Sequence, residues 1–129
     1  MSSDEYILIV EDDDDLRETL VDLLYEEGYA SCTASNGAEA LAFLREAPPP
    51  RVLLVDQLMP VMDGDVLVRS LRSIPALAAV PICALAGDPR QAPGDVEAVI
   101  RKPIDVTLLL QVIHRYCRRR AGWTASAPM

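Results

Sequence analysis

The sequence predicts an α/β fold, a doubly wound sheet of five parallel strands, and three observations carry that reading. Short apolar runs alternate with stretches of helical spacing along the chain. The core runs are continuously apolar, as strands covered on both faces are. Charged residues close three of them: Glu11 and Asp12, Asp56, and Lys102. Right-handed crossovers would bring those ends to one edge of the sheet, where such folds place their chemistry.

Tyr6 to Val10 forms the first strand and ends at Glu11 and Asp12. One of Asp13, Asp14 and Asp15 caps the next helix and complements its dipole. Leu16, Leu20, Leu23 and Leu24 share one face of that helix, and Gly28 ends it. Tyr29 to Thr33 is a weaker second strand, nearer a sheet edge. Asn36-Gly37 opens a second helix that buries Ala40, Leu41 and Leu44 and stops before the stiff run Pro48, Pro49 and Pro50.

Val52 to Val55 is a short, fully buried strand that delivers Asp56 to the rim of the sheet. Pro60 prevents simple continuation, and the Asp63-Gly64 turn leads to a third helix from about Gly64 to Arg72, with Leu67 and Leu71 at helical spacing. Met59 and Met62 read as loop packing. Pro81 to Leu85 is strand four; Ala98, Val99 and Ile100 are strand five. Between them, GDPRQAPGD holds two prolines and two glycines, so helix signals are poor. Asp105 caps a last helix in which Leu109, Val112, Ile113 and Tyr116 face inward. His114 takes a surface or packing role, and Arg118, Arg119 and Arg120 partner that helix's dipole. Residues 1–120 are expected to form one domain, with 121–129 a frayed tail.

With 129 residues, half of them hydrophobic, the chain can bury a real core. A net charge of −8 and a pI near 4.5 argue against nucleic-acid binding through its own surface. Cys32, Cys83 and Cys117 make no CxxC pattern and read as buried, reduced thiols rather than zinc ligands or redox sites. The first apolar run is too short for a signal peptide and nothing reaches the length of a membrane span, so a cytoplasmic location is expected.

If strands one and three are neighbours, Glu11, Asp12 and Asp56 converge. Three carboxylates so placed raise one another's pKa unless a cation sits among them, and a hard divalent ion such as Mg²⁺ is the natural partner. Lys102 adds a charge able to hold a phosphoryl oxygen. An aspartate, a metal and a lysine together can receive a phosphoryl group as a labile acyl phosphate.

At about residues 6 to 119 the chain resembles the receiver domains of two-component response regulators. The resemblance rests on VEDD closing strand one, VDQLMPVMDG around strand three and RKP after strand five. It implies flavodoxin-like strand order 2-1-3-4-5 and phosphorylation on Asp56. It also implies Mg²⁺ ligation by Asp12, Asp56 and the backbone carbonyl of Leu58, with Glu11 acting through a bound water. Lys102 is then the phosphate-pairing lysine, with a cis Lys102-Pro103 bond. The phosphodonor would be a sensor histidine kinase, and the signal would pass to a downstream protein by contact. The domain would be a monomer or weak dimer and no enzyme beyond its own phosphorylation and dephosphorylation.

Two departures from the family pattern stand out. The hydroxyl residue that ends strand four is replaced by Ala86, beside Gly87 at the expected phosphate site, and the aromatic switch position is Val99. Losing a hydrogen bond to a charged group removes about 1.5–3 kcal/mol, the size of a modest conformational bias. The span from Ala86 to Lys102 is also short, so helix four should be degenerate or missing. A phosphorylation-independent interaction module on the same fold is therefore the alternative reading. A phosphohydrolase would want a second acid two residues after the nucleophile, where Leu58 stands.

Overall fold

A computed structural model describes residues 5–57, 64–92 and 94–125. Five parallel strands form one sheet in the order β2-β1-β3-β4-β5. They are β1 (Tyr6–Val10), β2 (Ala30–Ala34), β3 (Val52–Asp56), β4 (Ile82–Ala86) and β5 (Ala98–Arg101). Four helices connect and flank them: α1 (Asp14–Glu26), α2 (Gly37–Leu44), α3 (Gly64–Arg72) and α4 (Val106–Tyr116). The doubly wound order expected from the sequence is present, and β2 lies at an edge.

Strand alternation splits the core into two layers. Leu8, Val10, Leu53, Val55 and Ile82 face Leu41 and Leu44 of α2 and Leu67 and Leu71 of α3. On the other face Ile7, Ile9, Leu54, Leu85 and Ile100 meet Leu20 and Leu24 of α1 and Leu109 and Ile113 of α4. Because β1, β3 and β4 are covered on both sides, their sequences read as unbroken apolar runs.

Caps fall where local chemistry placed them. Asp13 accepts from the backbone of Asp15 and Leu16, Asn36 from Glu39, and Asp105 from Leu108. After α1 the chain turns at Gly28 with φ +95°, a conformation open to glycine.

Between β4 and β5, among the described residues, only a 3₁₀ turn, Pro89–Gln91, stands where a fourth crossover helix would lie. Arg72 holds this shortened crossover in place. Its Nη1 donates to the carbonyls of Ala78 and Val80, both at 2.8 Å. Its Nη2 donates to the carbonyl of Asp95 at 3.0 Å and to Glu97 Oε1 at 3.1 Å.

Two local expectations need correction. Cys83 and Cys117 are buried, but Cys32 is exposed because the outer edge of β2 is uncovered. Arg119 and Arg120 do not serve the end of α4: Arg119 Nε donates to Glu27 O at 2.9 Å and Arg120 Nη1 to Tyr25 O at 2.7 Å, at the end of α1. His114 takes the surface position expected of it, exposed on α4 with Nδ1 3.2 Å from the Tyr29 hydroxyl. Residues 121–125, read from the sequence as the start of a tail, include Trp123, whose Nε1 donates to Glu26 O at 2.9 Å.

Candidate functional site

The site grows from strand register. β1 pairs with β3 in parallel, Val10 opposite Val55, so the residues that follow these strands emerge side by side. Glu11, Asp12 and Asp56 each present a carboxylate oxygen within 4.8 Å of the others. Glu11 and Asp56 are buried at 1 % and 5 % exposure, while Asp12 faces solvent.

Lys102, the only lysine in the chain, closes the group from the end of β5. Its backbone N–H donates to Ala86 O at 2.8 Å, and the Lys102-Pro103 bond is cis. The ammonium lies 3.1 Å from Asp56 Oδ1 and 3.5 Å from Glu11 Oε1.

Burial in this crowded group pushes the pKa of Glu11 up to about 7. Burial is the first cause, and contact with Asp56 adds to it; the Asp13 N–H and the Lys102 ammonium oppose it. For Lys102, burial works against the charged form, but the hydrogen bond to Asp56 and the field of both acids outweigh it and raise its pKa. The ammonium stays protonated.

The donor set suits a hard divalent cation: carboxylate oxygens of three acids converge at one rim, two of them buried. The Leu58 carbonyl expected to complete the set lies outside the described residues, as do Met59, Pro60, Met62 and Asp63. Ala86, buried at 1 %, ends β4, and Gly87 follows it, exposed. Val99 is half-buried in β5, opposite Ala84.

The family described as the response regulator receiver domain matches residues 7–114. The chain belongs to that family. Its relatives agree. The polar-differentiation response regulator DivK of Brucella anthropi is 31 % identical over 116 residues, spanning 85 % of this chain and 94 % of DivK. An uncharacterized protein of Leptolyngbya boryana is 35 % identical over 119 residues, 86 % of this chain and 88 % of its own length. Among solved structures, the signal receiver domain of a histidine kinase from Syntrophus aciditrophicus superposes with a TM-score of 0.80 at 32 % identity. That superposition covers 95 % of this chain and 99 % of the other.

Two residues near the receiver's site escaped the sequence reading. Arg17 reaches back from α1 to donate to Glu11 O at 2.9 Å, fixing the backbone that presents the acids. Gln57, directly after Asp56, is a buried amide at 5 % exposure. An uncharged polar residue directly after the buried strand and its terminal acid was the available signal for the second. The first had none, since its partner is a backbone carbonyl.

Proposed function

We propose that this receiver accepts a phosphoryl group on Asp56 from the phosphohistidine of a sensor kinase and passes its state to a downstream protein by contact. The observation that carries the reading is the Lys102 ammonium at 3.1 Å from Asp56 Oδ1, beside the acids of β1. Glu11, Asp12 and Asp56, with the Leu58 carbonyl, would hold Mg²⁺. Bound there, that ion neutralises phosphoryl oxygens and orients the transfer.

The residues' own part follows from their positions. An Asp56 oxygen attacks phosphorus; the P–N bond to the donor histidine breaks, and its electron pair returns to the imidazole. Lys102 leaves its ion pair with the carboxylate and holds an equatorial oxygen of the acyl phosphate. Burial of Asp56 keeps the nucleophile in one orientation.

Incubation with acetyl phosphate and Mg²⁺ should label the protein stoichiometrically, and Asp56→Asn should abolish the label by intact-mass measurement. Ala86, which carries no hydroxyl beside the site, gives the phosphorylation-independent module its one specific support. A wild-type chain that stays unlabelled at saturating Mg²⁺ would establish that second reading.

A further inference from the structure

The residue after Asp56 leaves β3 towards the opposite face of the sheet, where α3 packs. There Gln57 Nε2 donates to Asp65 Oδ1 at 3.2 Å, in the first turn of α3. Its Oε1 is buried and, among the described residues, has no hydrogen-bond partner. The orientation is chemically fixed, because only the NH₂ end of an amide can meet a carboxylate. An aliphatic side chain would fill this place without the cost of an unpaired oxygen.

The contact between α3 and the Asp56–Gln57 peptide is direct. Gly64 N donates to Gln57 O at 3.0 Å. A β-carbon on Gly64 would lie 3.1 Å from Gln57 Cα and 3.2 Å from Asp56 O, so no side chain intervenes. At the far end of α3, Arg72 bonds the Asp95 carbonyl and Glu97. One helix therefore joins the peptide of Asp56 to the segment that replaces the missing crossover helix.

We propose that Gln57 is a positioning residue coupling the state of Asp56 to α3 and, through Arg72, to residues 94–97. This rests on Asp56 being the phosphoacceptor. When Asp56 is modified, its ion pair with Lys102 is exchanged for phosphoryl contacts and the Asp56–Gln57 peptide shifts. The Gln57–Asp65 bond makes the first turn of α3 follow. A buried amide with one bond made and one acceptor open is a two-state element, since a small movement that offers Oε1 a donor is favoured. The route needs neither a hydroxyl at position 86 nor an aromatic ring at position 99.

The test uses Mg²⁺ with beryllofluoride as the phosphoryl mimic, in the full chain. Fluorine NMR reads adduct formation, and amide chemical shifts read the response. In the wild type, adduct formation should shift amides in 65–72 and 94–97. Gln57→Leu and Asp65→Ala should form the adduct yet lose those distant shifts, while Asp65→Asn, which still offers an accepting oxygen, should keep them. Wild-type shifts in both the Leu and Ala variants, or a wild-type response confined to β5 and α4, would overturn the coupling alone. Absence of any wild-type adduct would overturn the phosphoacceptor reading and the coupling with it.

Discussion

At the carboxyl end of the strands three acids crowd within 4.8 Å around one lysine, whereas at the amino end four successive carbonyls closing α1 each have a donor. Helix ends leave such carbonyls unsatisfied unless something reaches them. Here Tyr25, Glu26, Glu27 and Gly28 accept, in turn, from Arg120 Nη1, Trp123 Nε1, Arg119 Nε and Arg120 N. The donors come from more than 90 residues away in sequence. Among the described residues, these four carbonyls at one pole are paired, and the other pole keeps like charges close together. The difference separates an anchor held by hydrogen bonds from a crowded acidic site of the kind that a cation or a phosphoryl group would perturb.

The sharpest way to break this contrast is to titrate the site without metal. Glu11 has a folded-state pKa near 7, above its ordinary value of 4.5. Between those values the folded protein binds more protons than the unfolded chain, so stability falls as pH rises and levels off above 7. The loss should be on the order of 3 kcal/mol in chelator, read from denaturant midpoints between pH 5 and 8. Saturating Mg²⁺ or Glu11→Gln should flatten the curve. An unchanged slope in Glu11→Gln would show that another group carries the dependence.

The opposite pole should be indifferent to those conditions. Trp123→Ala removes the Glu26 carbonyl's donor and the ring over which Arg119 lies at 4.2 Å. We expect a loss of about 2 kcal/mol in urea unfolding, equal at pH 5 and 8 and with or without Mg²⁺. Trp123→Phe keeps the stacking surface and loses only the donor, so about 1 kcal/mol should go. Phosphoryl labelling of Asp56 should proceed as in the wild type, and a Trp123→Ala loss that varied with Mg²⁺ would mean that the two poles communicate.

The same contrast explains what the sequence could disclose. Val52 to Val55 and Ile7 to Val10 announce buried strands because each residue is covered whichever face it points to. Glu11, Asp56 and Lys102 announce a site because charge at the end of such a strand has few structural uses. The broken crossover was visible in its prolines and glycines, since those residues exclude a helix on local grounds. Arg72, Arg119, Arg120 and Trp123 were illegible for the converse reason. Their partners are mainly backbone carbonyls, which every residue owns, so no spacing marks them. Cys32 was misread because a small apolar residue on an edge strand looks the same whether or not its face is covered.

The smallest effect concerns what holds Arg119. Its guanidinium lies 4.2 Å from the Trp123 ring centroid and 5.7 Å from that of Tyr29, while its ion pair with Glu27 is long, at 3.8 Å, and substantially exposed. Exposed pairs of that kind contribute little, whereas a planar cation lying over aromatic rings is held by stacking as well as charge. Arg119→Lys preserves the charge but not the plane or the Nε donor to Glu27 O, and should cost about 0.5–1 kcal/mol. Stacking in a partly dry contact is weakly screened, so the same difference should be measured in low and in 1 M salt. If the penalty disappears at high salt, the Glu27 ion pair rather than the contact with the aromatic rings fastens this pole, and its independence of solution conditions is lost.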